Sequence, residues 1–166
     1  MKLFTIFAVS ALSAVAAPAA LAQTPPISGG TEVGGSVPSF LELIISQPSA
    51  TLASFSKPKT YSSSFDVAVT TTDDGTQLSL ADGDVTSGKK LGHLASGHKS
   101  LPLPLEARVG KAAFQPLDQS VDPLLTRWND VVNHAKATVN LRQKVQGKAS
   151  GSYRKVLLVT LSTDTP

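Results

Sequence analysis

Two histidines five residues apart, in Gly92-His93-Leu94-Ala95-Ser96-Gly97-His98, are the first place where side-chain chemistry could gather. A glycine-bounded loop can fold two imidazoles onto one metal ion, but a catalytic zinc wants three protein ligands and an open position. The chain has no cysteine, and the carboxylates nearest the pair in sequence are Asp84 and Glu106. The expectation is therefore a turn in which His93 packs or hydrogen-bonds and His98 is solvated. A hydrolase or metal enzyme using both is the least favoured reading. His134 is expected in a loop.

Carboxylates supply the second candidate. Asp82-Gly83-Asp84-Val85-Thr86-Ser87 opens like a calcium loop, with oxygens at positions one, three and five. Position six is then Ser87 rather than glycine, and position twelve is His93 rather than glutamate, so the EF-hand pattern fails. Asp73-Asp74 facing Asp82 and Asp84 would make a different, inter-loop calcium site; solvated turn carboxylates are the plainer expectation. Nucleophilic chemistry finds no Gly-x-Ser-x-Gly elbow and no His-Glu-x-x-His. Glu32, Glu42 and Glu106 are the only glutamates. No catalytic residue, metal ligand or cofactor site is assigned. Trp128 is the one aromatic that could serve as a partner contact, with His93 and His98 beside it as weaker candidates, because large aromatics are mostly buried yet enriched at contacts.

The elements that must position these residues begin after a targeting segment. Lys2 precedes an uncharged apolar run from Leu3 to Ala16, and Ala20-Leu21-Ala22 fits the small-x-small cleavage rule. The run is short for a membrane span of about 20 residues. Removing the first 22 of 166 residues leaves 144, a length that suits one domain. It also takes away Lys2 and no acid, so a formal charge of +3 becomes +2. Basic residues are scattered, which argues against nucleic acid as a partner. Without disulfides, the domain must rest on its apolar core. Residues 23–36 are rich in Pro, Gly, Ser and Thr and read as a flexible leader, with order beginning at residue 37.

Alternation then dominates. Phe40 to Gln47 reads as a strand with Leu41, Leu43 and Ile45 on one face, and Thr51 to Phe55 as a short second one. Tyr61 to Thr72 alternates most cleanly, with Phe65, Val67 and Val69 inward. Asp73-Asp74-Gly75 reads as a hairpin turn into Thr76 to Ala81. Pro102 and Pro104 flank apolar positions before Leu105, marking an edge strand or the start of one. Residues 138–145 alternate again. From Val156 to Leu161 five of six residues are apolar, which predicts a central strand covered on both faces. Residues 123–134 are ambiguous: Leu124, Leu125, Trp128, Val131 and Val132 make a helical stripe behind an Asp122-Pro123 start signal. The strand-rich surroundings point to an antiparallel sandwich.

Several of these strings resemble a family of small secreted proteins of high-GC Gram-positive bacteria whose domain is related to WxL-type cell-wall domains. They are Gly35-Ser36-Val37-Pro38-Ser39-Phe40-Leu41-Glu42-Leu43, Thr76-Gln77-Leu78-Ser79-Leu80-Ala81-Asp82, Gly92-His93-Leu94, Leu101-Pro102-Leu103-Pro104-Leu105, Val139-Asn140-Leu141-Arg142-Gln143 and the stretch from Gly151 to Thr163. The resemblance spans nearly all of the chain after residue 22. It implies an all-β, immunoglobulin-like antiparallel β-sandwich, exported and non-enzymatic, and it favours strand over helix at Leu124–Trp128. One departure matters. Where WxL-type domains carry Trp-x-Leu, this chain has Val159-Thr160-Leu161, so peptidoglycan binding is not carried onto named residues. The expected protein is a secreted cell-surface or extracellular structural protein, noncovalently held, with cell-wall polymer, other surface proteins or further copies of itself as partners and no membrane contact after signal removal. The alternative is a binding module for wall glycan or a surface partner.

Overall fold

The structure, a computed structural model, describes residues 38–84 and 90–163, all within a unit of Ser36–Pro166. The expected signal peptide (1–22) and leader (23–36) lie outside the described residues, as does part of the Asp82–Lys90 loop.

Ten strands and no helix form among the described residues. They are β1 (Leu41–Ile45), β2 (Lys59–Thr71), β3 (Thr76–Asp82), β4 (Ala95–Ser96), β5 (Lys99–Ser100), β6 (Leu105–Val109), β7 (Gln115–Pro116), β8 (Leu124–Trp128), β9 (Val132–Val145) and β10 (Leu157–Ser162). One antiparallel sheet runs β1-β2-β9-β6-β7 and a second runs β10-β3-β8, with β4-β5 a small separate hairpin. Their apolar faces meet in one core: Phe65, Val67, Val139 and Leu141 from the first sheet against Leu78, Leu80 and Leu125 from the second. This is an all-β arrangement of the sandwich kind, and period-two alternation is its cause. Along β2, buried and less buried residues alternate from Tyr61 to Thr71, because successive side chains of a strand leave opposite faces.

Three sequence expectations change, and one choice left open is decided. First, Asp73-Asp74-Gly75 is not a hairpin, since β2 and β3 lie in different sheets. The turn crosses the sandwich at a corner where the buried hydroxyls of Thr71 and Thr76 sit 2.9 Å apart, Asp73 N–H donates to Thr71 at 3.0 Å, and Gly75 takes φ 71°. A left-handed residue is cheap only for glycine. Second, Thr51 to Phe55 is no strand, because no described strand lies alongside to pair with it. Third, the choice left open at residues 123–134 goes to strand, the side the resemblance favoured over the helical stripe: Thr76 pairs with Trp128 and Leu78 with Thr126, Leu125 enters the core, and Val131 stays exposed. The sheet supplies hydrogen bonds and burial that override a local helical pattern. Fourth, the apolar strand at Leu157–Ser162 is not central. It pairs only with β3, and Val156 and Leu158 are 57% and 56% exposed.

β9 begins six residues before its cleanly alternating part. His134 therefore lies within a strand rather than a loop, at φ 49° beside a register shift against Val69 and Thr71. Pro102 and Pro104 stand before β6 rather than in it, where the missing N–H groups cost no ladder bond. Gln143, buried in β9, donates to the Leu103 carbonyl at 3.0 Å and fixes this approach.

Candidate functional site

The two edge strands on one side of the sandwich, β1 and β10, define the site. Cross-strand register sets Leu41, Leu43 and Ile45 opposite Thr71, Val69 and Val67, whose side chains are buried, so all three face inward. Leu157, Val159 and Leu161 likewise lie opposite Asp82, Leu80 and Leu78. Yet Leu41 and Ile45 are each 40% exposed, and the three from β10 are half-buried. Inward-facing apolar residues that remain wet mark a sandwich left open on that side. Between the edges is a groove of about 930 Å³ that reaches the core at Phe65, Leu105 and Leu141.

The backbone is open at the same residues. Thr72 N–H donates to the Phe40 carbonyl and Ser46 N–H to the Asp66 carbonyl. By alternation, the peptide groups of Leu41, Leu43 and Ile45 point away from β2. Gly83 N–H donates to the Val156 carbonyl, so those of Leu157, Val159 and Leu161 point away from β3. None of these groups has a backbone partner among the described residues. The connection between β1 and β2 forms a third wall. Its backbone bonds are few: Ser46 to Asp66, a local bond from Ser56 to Ser54, and an exchange between Lys57 and the Tyr61 hydroxyl. Phe55 fastens it, with ring centroids 4.8 Å from Tyr61 and 5.9 Å from Tyr153.

Arg154 and Lys155 are the charged residues on the groove wall among the described residues. Lys155 is committed elsewhere. Its ammonium lies 2.5 Å from Asp82 Oδ2, with the two side chains 1% and 0% exposed. Asp82 also accepts from Gly92 N–H at 2.7 Å and Asp84 N–H at 2.8 Å. Burial alone would push this carboxyl up, but Lys155 and the two amides outweigh it and hold Asp82 below its ordinary value. Asp84 in turn accepts from Val156 N–H at 3.1 Å, so the loop after β3 is tied to the start of β10. Arg154 is exposed, and its guanidinium has no acidic partner among the described residues.

A second polar cluster covers the outer face of the other sheet. Glu106 takes Arg142 and Lys144, while Arg108 and Arg142 stack on Phe114 at 4.3 and 4.0 Å. Burial raises the Glu106 carboxyl, and the two cations together bring it below its ordinary value.

The residues picked from sequence do not meet here. His93 is 1% exposed, its Nδ1 2.6 Å from the Leu101 carbonyl oxygen, and so lies inside the domain. His98 is exposed on the β4–β5 turn. Trp128 is half-buried at the core margin, paired with Thr76, and is not on the groove wall. Among the described residues no three His, Asp or Glu gather where they could hold one ion. The paired-aspartate calcium site fails on distance, since Asp73-Asp74 and Asp82-Asp84 stand at opposite ends of β3, roughly 20 Å apart at 3.3 Å per residue. The groove was missed because it is a deficit of partners: alternation shows which residues face inward, not which strand lacks a neighbour. In comparisons with known proteins, no family model, curated protein or solved structure matches this chain.

Proposed function

We propose that this chain is an exported, non-enzymatic protein of the bacterial cell surface, an immunoglobulin-like β-sandwich akin to WxL-type domains, that works by contact rather than by transforming a substrate. The observation that carries this reading is the groove between β1 and β10. Its walls offer apolar side chains and free peptide groups, the means to hold a partner by burial and hydrogen bonding. Lys155, the groove-wall side chain best suited to acid–base or nucleophilic work, is tied to Asp82. The export part rests on the amino-terminal pattern of Lys2, the apolar run and Ala20-Leu21-Ala22. Expression of the full chain with a carboxy-terminal tag in a Gram-positive host tests it. The tagged protein is expected in the wall fraction or the medium, shortened by the first 22 residues. Full-length protein retained in the cytoplasm would overturn the reading.

The same groove favours a second reading, a module that binds wall glycan or a surface partner. Cosedimentation with purified cell wall separates the two. Pelleting that survives high salt supports the module. Pelleting lost with salt reports only attraction of a mildly basic domain, with Arg108, Arg142 and Lys144 on one face, to an anionic polymer. No pelleting supports the released structural protein.

A further inference from the structure

The groove's shape and its free peptide groups together point to one class of occupant, and this deepens the contact reading above. We propose that the space between β1 and β10 accepts an extended polypeptide strand from a partner protein, which pairs antiparallel with β10 and sets alternate apolar side chains against Phe65, Leu105 and Leu141.

Three observations bear on the choice. The inward side chains of β10 that are only half-covered (Leu157 and Val159 on the groove wall, Leu161 beyond it) belong to the residues whose N–H and C=O groups point out of the ladder. One added strand would satisfy both needs, because in a strand the two alternations run together. An acyl chain or a small apolar molecule would cover the side chains and leave those peptide groups dry and unpaired. A second folded copy meeting this one edge to edge would pair the peptide groups, but its own β10 side chains serve its own core, so the groove behind would stay empty. Depth therefore decides for an inserted strand.

Charge says what the antiparallel strand should carry at its end. Arg154 stands exposed at the beginning of β10 without an acidic partner among the described residues, and the other cation on the wall is neutralised by Asp82. An antiparallel partner ends beside Arg154. The occupant is thus a segment of about six residues, matching the length of β10, with apolar residues at every second position and a carboxylate at its carboxy-terminal end. The β10 edge suits such a partner: from Leu157 to Ser162 it holds no charge, no proline and no glycine, the devices by which edges usually refuse added strands.

The test is a titration of the purified full chain with three peptides of one composition or nearly so: acetyl-Thr-Val-Thr-Ile-Thr-Leu-Asp, a version with its apolar residues grouped together, and one with proline at the central position. Amide hydrogen exchange at Leu157, Val159 and Leu161 is followed alongside affinity. The alternating peptide is expected to bind saturably and slow exchange at those three amides by about tenfold or more. The grouped and proline peptides should bind at least roughly tenfold more weakly, and Arg154→Ala should weaken the alternating peptide about three- to tenfold. Equal binding of the grouped peptide would overturn the proposal in favour of a merely apolar cleft. Protection of the three amides by protein concentration alone, or by decanoate as well as by peptide, would overturn it in favour of paired copies or an amphiphile. No protection under any condition would also overturn it. Because the titration is done in solution, failure of export would sink the cell-surface reading and leave this result standing, and the reverse holds too.

Discussion

At the scale of single residues, Asp82 is the position on which most depends. It closes β3, holds Lys155 and receives the amide of Gly92 out of contact with water, and it takes the amide of Asp84 at the margin. Asp82→Asn leaves a buried ammonium without its counter-charge, and urea denaturation followed by Trp128 fluorescence should show a loss of about 3–5 kcal/mol. Adding Lys155→Met should recover part of that loss, because the orphaned charge goes with it. The sign of the pH dependence follows from the depressed carboxyls. Asp82 and Glu106 both sit below their ordinary values when folded, so the unfolded chain binds more protons as acid is added. Their contribution is complete above the unfolded values, about pH 4, and is lost as pH falls through the folded ones. Stability measured from pH 6 down to 2 should therefore decline below about pH 4, and less steeply in Asp82→Asn than in the parent. Gly92 is the other sensitive position. At φ 70° a Cβ would stand 2.3 Å from the Leu117 carbonyl carbon, so Gly92→Ala should cost about 3 kcal/mol or more by the same assay. In the sequence Asp82 opened a calcium-like loop and Gly92 a histidine loop, with nothing to join them; a partner 73 residues on from Asp82, at Lys155, becomes visible only when register places it.

At the scale of elements, alternation made the sheet faces legible and left the sheet neighbours hidden. The inward residues of β2 and β3 and of the later part of β9 read directly from period two. The position of β10 did not, because a continuous apolar run describes equally a strand covered on both sides and an edge strand with one apolar face in solvent. The Leu124–Val132 stripe was ambiguous for a related reason: its spacing fits a helix, while the decision belonged to β3, which needed a second neighbour. The open edge carries its own prediction. Leu158→Lys places a charge on the exposed face of β10 and should change stability by no more than about 0.5 kcal/mol, while lowering any concentration-dependent association seen by sedimentation velocity. Leu141→Ala, by contrast, deletes side-chain volume where the groove meets the core and should cost about 2–5 kcal/mol. If both substitutions cost the same, β10 is covered in solution by something that these residues do not supply.

At the scale of the whole molecule, the all-β class was legible in the sequence and the job was not. Chemistry sought in pairs of histidines and aspartates dissolved once the strands set His93 inside, His98 outside and the two aspartate pairs at opposite ends of β3. What replaced it is a surface with one side unfinished. A groove is silent in a sequence because each residue around it is ordinary: Ile45, Phe65 and Val159 look like core, and only the missing neighbour makes them a wall.

The join between Asp82 and Lys155 also imposes a timetable. A ribosome makes Asp82 long before Lys155, and until that lysine emerges the second sheet has β3 and β8 but lacks the counter-charge that its core requires. Burying that carboxylate before its partner arrives would leave a charge uncompensated, which an apolar interior resists. The second sheet and its ion pair are complete only once the final strand is present, with the lysine just ahead of it.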